Sequence, residues 1–150
     1  MPFECVHHVK YTVGDMDRSI AFYRDKLSFE LTYDATRKNV PSYDTIMDLK
    51  DVEVRVGMLE HSPTGFVIGL VQFLNPESTS RELKNNYIGA SSLALQVESA
   101  DAEYRRLRAE GVDFVSPPTE IVRDGKAAAI ACYLLDPDRI PIELWQPLET

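Results

Sequence analysis

The sequence predicts an α+β fold made of two βαβββ modules, and internal repetition is the main observation behind that prediction. Residues 68–73 nearly recur as residues 142–147, with an offset of 74 positions. Residues 8–13 align with residues 92–97, with an offset of 84 positions. Loops of unequal length inside the two modules would produce the two offsets, so a duplicated unit explains the pattern better than chance.

The first module is predicted from strand-type composition and from helix signals near its start. Residues 4–13 are rich in β-branched and aromatic side chains, which favour a strand. Asp15 is a suitable N-cap for a helix over residues 16–27, in which Ile20 and Tyr23 would share one apolar face. Strands are predicted to follow at 29–33, 46–59 and 66–74, with a loop at 34–43 and a hairpin at 60–65.

The second module is predicted to repeat this order. Residues 91–97 favour a strand, Ser99 is a suitable N-cap for a helix that runs to Glu110, and Gly111 would end it. Further strands are predicted at 112–115, 127–135 and 140–145, with a break at Pro117-Pro118. The predicted organisation is therefore a first module at 1–74, a polar linker at 75–88 and a second module at 89–150, which together form one domain.

The composition is that of a soluble globular protein, and it argues against several classes of function. The chain of 150 residues carries a formal charge of −8, which argues against binding to nucleic acid. No apolar run approaches the roughly 20 residues that a membrane span requires, and no secretory signal is visible. Cys5 and Cys132 have no paired spacing, so we expect reduced thiols and a cytoplasmic location.

Two differences between the aligned repeats indicate the functional residues. His8 in the first module is aligned with Ser92 in the second, and Gly69 is aligned with Glu143. One imidazole and one carboxylate at four corresponding positions predict a ligand site or metal site that is half filled. The alternatives without a functional role are that His8 is a hydrogen-bonded histidine on a strand and that Glu143 is a solvated carboxylate.

Several short motifs occur in an order that resembles the vicinal oxygen chelate superfamily. They are His8-Val9, the segment 15–23, Leu27-Ser28-Phe29, Asp136-Pro137-Asp138 and Ile142-Glu143-Leu144. That superfamily includes glyoxalase I, methylmalonyl-CoA epimerase, extradiol dioxygenases and bleomycin-resistance proteins. The resemblance implies paired βαβββ modules that form a cupped, eight-stranded mixed β-sheet around a cavity. Ser28 and Arg139 depart from the family pattern, because they stand where it usually has glycine.

The resemblance also implies where a metal would bind. In the metal enzymes of the family, the first and last strands of each module supply the ligands, which map here onto His8, Gly69, Ser92 and Glu143. Only His8 and Glu143 are good donors, whereas a catalytic site typically has about three protein ligands. We therefore expect one divalent metal (Zn, Ni, Fe, Mn or Co) that is weakly bound or absent. Gln96 is the best substitute ligand, ahead of His61 and then His7.

The remaining candidate residues would line the cavity or lie at its rim. Aromatic side chains there would suit a flat ligand by stacking. Arg37, Lys38, Arg123 and Lys126 are interpreted first as solvated charges and second as binders of an anionic tail. The predicted ligand-binding residues are Tyr11, Gly69, Phe73, Ser92, Gln96, Tyr133 and Trp145.

Two functions compete at this point. The first is a lyase, isomerase or dioxygenase-type enzyme that acts on a small oxygenated substrate, with His8 and Glu143 as acid/base pair or remnant metal ligands. The second is a metal-free protein of the bleomycin-resistance type, which sequesters a cationic aromatic compound. A degenerate scaffold without a ligand is a third hypothesis. The family resemblance also predicts a homodimer.

Overall fold

A computed structural model describes residues 3–148, which form two compact units that meet in sequence between Arg81 and Glu82. This boundary lies inside the segment 75–88 that we predicted as a linker. Each unit contains one mixed β-sheet with a helix on one of its faces. No helix among residues 3–148 is long and apolar enough to cross a membrane.

The first unit is a four-stranded sheet with the strand order β1-β4-β3-β2. Strands β1 and β4 are parallel, and the other neighbours are antiparallel. The helix α1 packs on one face, where Met16 and Ile20 lie against Gly57. The elements are β1 (Val9–Thr12), α1 (Met16–Ala21), a π-helical turn (Phe22–Lys26), β2 (Glu30–Arg37), α2 (Pro41–Met47), β3 (Glu53–His61) and β4 (Phe66–Asn75).

Three predictions for the first unit were wrong in detail. The helix predicted over 16–27 changes to a π-helical turn at Phe22, and the chain then reverses at Ser28, whose φ is +60°. The loop predicted at 34–43 contains the end of β2 and the start of α2. The segment 46–52 is therefore not part of β3. Instead, the Asp44 carboxylate accepts hydrogen bonds from the backbone N–H groups of Asp51 and Val52.

The second unit repeats this arrangement with the strand order β5-β9-β8-β6. Strands β6 and β7 both pair with β8. They pair with consecutive stretches of β8, which include Leu134 for β6 and Ala131 for β7. The elements are β5 (Leu93–Gln96), α3 (Ala100–Ala109), β6 (Asp113–Phe114), β7 (Thr119–Arg123), β8 (Lys126–Leu135) and β9 (Pro141–Pro147).

Strand β7 is an addition to the predicted elements. The sequence predicted eight strands, and residues 3–148 form nine, because pairing with β8 resumes after the Pro117-Pro118 break. The two sheets are separate in their hydrogen bonding, so a single continuous sheet is not formed by the described residues. The predicted α+β class with repeated mixed sheets is confirmed.

The two offsets found in the sequence also relate the contacts of the two units. Lys10 pairs with Gly69 across β1 and β4, and Ala94 pairs with Glu143 across β5 and β9. Lys10 and Ala94 are 84 positions apart in the sequence, and Gly69 and Glu143 are 74 positions apart. The duplication therefore extends to the strand register, which fixes corresponding side chains on corresponding faces of each sheet.

Candidate functional site

Each sheet has one face that is turned away from the helix after its first strand, which is α1 in the first unit and α3 in the second, and we call these the first and second distal faces. The first distal face includes Lys10, Met58 and Gly69, which are neighbours across β1, β4 and β3. Its other end is covered by α2, because Tyr43 and Met47 pack against the cluster that includes Val54 and Val71.

His8 lies on the first distal face, directly over Gly69. A Cβ atom added to Gly69 would be 3.1 Å from His8 Cδ2 and 3.7 Å from His8 Nε2. It would also be 3.4 Å from Met58 Sδ. The imidazole thus occupies the space into which a side chain at position 69 would extend, and Gly69 is what permits this close approach.

His7 contacts the same imidazole from the side of the chain terminus. The Nδ1 atoms of His7 and His8 are 2.7 Å apart, and the two rings meet edge to face. One Nδ1 must carry the proton and the other must accept it, so the tautomers of the two residues depend on each other. His8 itself is solvent-exposed among the described residues.

Tyr11 does not lie with His8, although the sequence grouped them. Tyr11 pairs with Leu70 in the parallel ladder of β1 and β4, and both side chains are buried on the face that α1 covers. The three-residue separation from His8 turns Tyr11 to the opposite side of the strand. Phe73, by contrast, lies on the first distal face, where Lys10 Nζ is 5.7 Å from its ring centre.

Glu143 lies on the second distal face. It is half-buried, and its strand neighbours are Ala94 on β5 and Tyr133 on β8. The flanking residues Ile142 and Leu144 are buried on the opposite face, which α3 covers.

Trp145 follows on the second distal face, two positions after Glu143. It pairs with Gln96 on one side and with Ala131 on the other. Ser92 lies just before β5 and is exposed. The second distal face therefore brings together four of the predicted residues, namely Gln96, Tyr133, Glu143 and Trp145.

His61 is held away from the first distal face. Its ring lies 5.6 Å from that of the buried Phe29, and its Nδ1 is 2.8 Å from the Thr64 hydroxyl oxygen. These contacts satisfy the imidazole within the β3–β4 hairpin. His61 is therefore not a natural substitute for the missing ligand at Gly69.

Cys132 lies beneath the second distal face, on the side of β8 that α3 covers. Burial, together with the smaller effect of the negative charges of Asp101 and Glu143, raises the pKa of the Cys132 thiol to about 11. The thiol is consequently protonated and unreactive near neutral pH.

The donor atoms of the described residues do not fit a tightly held divalent metal. Among residues 3–148, no three His, Cys, Asp or Glu side chains come close enough to share an ion. The first distal face offers the imidazole of His8 above a glycine, and the second offers the carboxylate of Glu143, whose strand neighbours are Ala94 and Tyr133. Structural and catalytic sites normally need about three or four protein ligands of the His, Cys or carboxylate type.

Two glutamines that sequence reasoning passed over fix the long helices beneath the distal faces. The Gln72 side-chain oxygen accepts a hydrogen bond of 3.0 Å from the backbone N–H of Met16. The Gln146 side-chain oxygen accepts one of 2.9 Å from the backbone N–H of Ala100. Both glutamines belong to the repeated segments 68–73 and 142–147, so their recurrence was the signal that could have identified them.

The comparison with known families agrees with the motifs. Residues 6–144 match the model of the Glyoxalase/Bleomycin resistance protein/Dioxygenase superfamily. The chain belongs to this superfamily. The match spans both modules, so it confirms the resemblance that the short motifs indicated.

Relatives and solved structures of this superfamily differ in their described activities. The chain is 31% identical over 128 residues to a 2-epi-5-epi-valiolone epimerase of Actinomyces, covering 82% of this chain and 68% of that protein. It is 26% identical over 147 residues to the uncharacterized protein YwkD of Bacillus subtilis, covering 97% and 99% of the two chains.

Two structural neighbours illustrate the shared fold. A glyoxalase family protein of Bacillus cereus matches with a TM-score of 0.79 and 22% identity, over 96% of this chain and 94% of that one. TnmS3, an antibiotic binding protein of Streptomyces, matches with a TM-score of 0.66 and 19% identity, over 99% of each chain. Identities this low establish the fold and leave the reaction open.

Proposed function

We propose that the chain is a small-molecule isomerase of the epimerase type, acting on an oxygenated compound with a stereocentre next to a carbonyl group. The observation that carries the proposal is that each distal face presents one group able to transfer protons, His8 on the first and Glu143 on the second. The 31% identity to an epimerase supports this reaction type among the reactions of the superfamily.

The proposed reaction needs one base and one acid. A base, for which His8 and Glu143 are the candidates, removes the proton from the stereocentre, and the C–H electron pair moves to the carbonyl oxygen as an enolate forms. An acid then donates a proton to the opposite side of the same carbon, which inverts the centre and leaves the composition unchanged. Positioned His and Glu side chains are suited to such transfers, which contribute about 10²–10⁴-fold each.

No step of this reaction is assigned to a metal, because Gly69 has no donor atom and the Ser92 hydroxyl is a weak one. We propose that a divalent ion, when supplied, binds only loosely at His8 or at Glu143. Metal analysis of the purified protein, with His8→Ala and Glu143→Ala as comparisons, tests this. A stoichiometric ion that survives dialysis and is lost in both variants would contradict it.

Hydrogen exchange at the stereocentre tests the isomerase proposal without knowledge of the natural substrate. The protein is incubated in D₂O with hydroxyketones such as erythrulose and 2-hydroxycyclohexanone, and proton NMR follows the signal of the carbon-bound hydrogen. We expect exchange that falls by about 100-fold or more in His8→Ala and in Glu143→Gln. The control variants His61→Ala and Glu120→Gln should retain the exchange rate. The His61 imidazole is hydrogen-bonded within its own hairpin, and the Glu120 carboxylate is exposed.

A double variant tests whether His8 and Glu143 act in the same reaction. If His8 and Glu143 serve one reaction, the double variant should be about as slow as the slower single variant, because removing either group already disables the mechanism. Losses that multiply in the double variant would mean that the two residues act independently, which would contradict the proposed pair.

Sequestration of a ligand is the second candidate, and Gly69 is the observation that favours it. In the family resemblance, position 69 would supply a metal ligand. Glycine has no donor atom for a metal, and it leaves space on the first distal face that an organic molecule could occupy. The likeness to an antibiotic binding protein is consistent with this function. Tight stoichiometric binding of a cationic aromatic compound, together with no exchange for any ketone, would favour sequestration over the isomerase.

A further inference from the structure

We infer that Arg123, stacked on Trp145, is an anion-recognition residue, and that the ligand of this chain carries a carboxylate or phosphate group. The inference rests on the proposed function in one respect, because it takes the second distal face as ligand-binding. It adds a chemical class of ligand, which neither the family nor the relatives determine.

The position of the guanidinium is the first observation. The central carbon of the Arg123 guanidinium lies 5.8 Å from the centre of the Trp145 ring. Arg123 pairs with Lys126 across a tight hairpin, in which Asp124 and Gly125 have φ values of +51° and +76°. Two cations therefore stand side by side at the end of β7, beside the indole of the distal face.

The free donors of this guanidinium are the second observation. Among residues 3–148, the Arg123 guanidinium forms no hydrogen bond or ion pair with a neighbouring side chain. Other arginines of this acidic chain are paired, for example Arg55 with Asp34 and Arg106 with Glu103. Stacking limits the motion of the guanidinium and leaves its edge N–H groups available to grip two oxygens of a carboxylate or phosphate.

The charge of Glu143 sets the direction in which such a ligand would lie. Glu143 and Trp145 are two positions apart on one strand face, which separates their Cα atoms by roughly 7 Å. A negative group is repelled by the Glu143 carboxylate and attracted by Arg123 on the other side of the indole. The anionic end of the ligand would thus bind at Arg123 and direct its uncharged, reactive end toward Glu143.

Fluorescence tests this assignment directly, because Trp145 is the single tryptophan of the chain. The full-length protein is titrated at constant ionic strength with inorganic phosphate, glycerol 3-phosphate and malate, with glycerol as the uncharged control. We expect a saturable change in Trp145 emission with at least one of the anions and none with glycerol. A preference for glycerol 3-phosphate or for malate then identifies the group as phosphate or carboxylate.

Matched variants separate recognition by Arg123 from general charge effects. Arg123→Gln should weaken binding of the preferred anion about tenfold or more, and Arg123→Lys should weaken it less, because lysine keeps the charge but lacks the planar pair of donors. Arg105→Gln removes an exposed arginine of α3 and should leave the affinity unchanged. Isothermal titration calorimetry repeats the measurement in case a variant alters the emission itself.

Two results would overturn the inference. They are the absence of saturable anion binding in the unchanged protein, and equal affinity in Arg123→Gln. Exchange in D₂O distinguishes this failure from failure of the proposed function. If erythrulose and its terminal phosphate ester exchange at equal rates that depend on His8, the isomerase stands and the role of Arg123 fails. If anion binding depends on Arg123 but no ketone exchanges, the anion site stands and the isomerase fails.

Discussion

At the scale of single residues, Gly69 has the largest effect on what the first distal face can do. Its missing side chain lets the His8 imidazole lie against β4, and the same absence leaves position 69 without a side-chain donor atom. The sequence allowed us to predict that His8 and Gly69 are related, because both differ from their aligned partners. It could not predict the contact with His7, since that contact depends on side-chain rotamers near the start of the chain.

Gly69→Ala should lower the exchange rate about tenfold while changing stability little. The new methyl group would be 3.1 Å from His8 Cδ2, and the exposed imidazole can move aside by a few tenths of an ångström at the expense of its alignment. Gly57→Ala is the matched control, because its methyl group would be 3.2 Å from Met16 Sδ on the helix-covered face. That variant should lower Tm by overpacking and leave the exchange rate unchanged. Equal exchange rates in Gly69→Ala and the unchanged protein would contradict a functional contact.

The two cysteines should differ sharply in reactivity. Cys5 is exposed, whereas Cys132 is buried with a pKa of about 11. A disulfide reagent at pH 8 should therefore titrate one thiol in the native protein and two after denaturation. Because the folded pKa lies above the ordinary value of 9.0, the protonated thiol favours folding below about pH 9, and this contribution is lost as the pH rises toward 11. Rapid reaction of both thiols in the native state would contradict the buried position.

At the scale of elements, the repeated glutamines explain why both helices begin where they do. Asp15 and Ser99 accept hydrogen bonds from the N–H groups of Arg18 and Ala102 as conventional N-caps, as the sequence predicted. Gln72 and Gln146 satisfy the N–H groups of Met16 and Ala100, which otherwise have no partner within the helix. Each glutamine thereby ties a helix start to the last strand of its own module.

Gln146→Ala should lower the free energy of unfolding by about 1 kcal/mol, because it leaves the N–H group of Ala100 without this acceptor. Gln72→Ala should have a similar effect through Met16. Gln96→Ala is the control, since this glutamine is exposed on β5. Chemical denaturation of the three variants measures the differences, and an equal effect of all three substitutions would contradict the capping role.

The elements that the sequence did not predict have identifiable physical causes. The helix α2 is short, begins at Pro41 and has no buried residue, so its apolar pattern was too weak to recognise. The strand β7 is exposed except at Ile121, which is half-buried, so alternation did not distinguish it from a loop. The repeated strands β4 and β9 were predicted closely, because their apolar residues are buried and their sequences recur.

At the scale of the whole molecule, the predicted homodimer is an expectation that large exposed apolar side chains support. Phe3 is 84% exposed, and Ile88 is fully exposed in the segment between the modules. Sedimentation equilibrium should give about twice the chain mass of 17.0 kDa. Ile88→Asp should shift the equilibrium toward the monomer if this side chain is covered on association. A mass of one chain at all concentrations would contradict the expectation.

Part of the candidate site could be predicted from the internal duplication, which also predicted the fold. The duplication identified His8, Gly69, Ser92 and Glu143 as corresponding positions, and strand register places His8 and Gly69 together and Glu143 beside Tyr133. Tyr11 was misassigned because its aromatic character gave no information about the side of the strand. The contact of Arg123 with Trp145 was not predicted, because it joins β7 to β9, which are not neighbours in sequence.

The shared register of β1 with β4 and of β5 with β9 has an evolutionary consequence. Each position on β1 and β4 has an equivalent location on β5 and β9, reached by the same backbone path. A substitution that abolishes a group in one repeat therefore leaves its twin intact, and loss at position 69 need not be loss of the carboxylate at position 143. Such a scaffold can exchange one ligand chemistry for another through single changes in either half while its backbone stays the same.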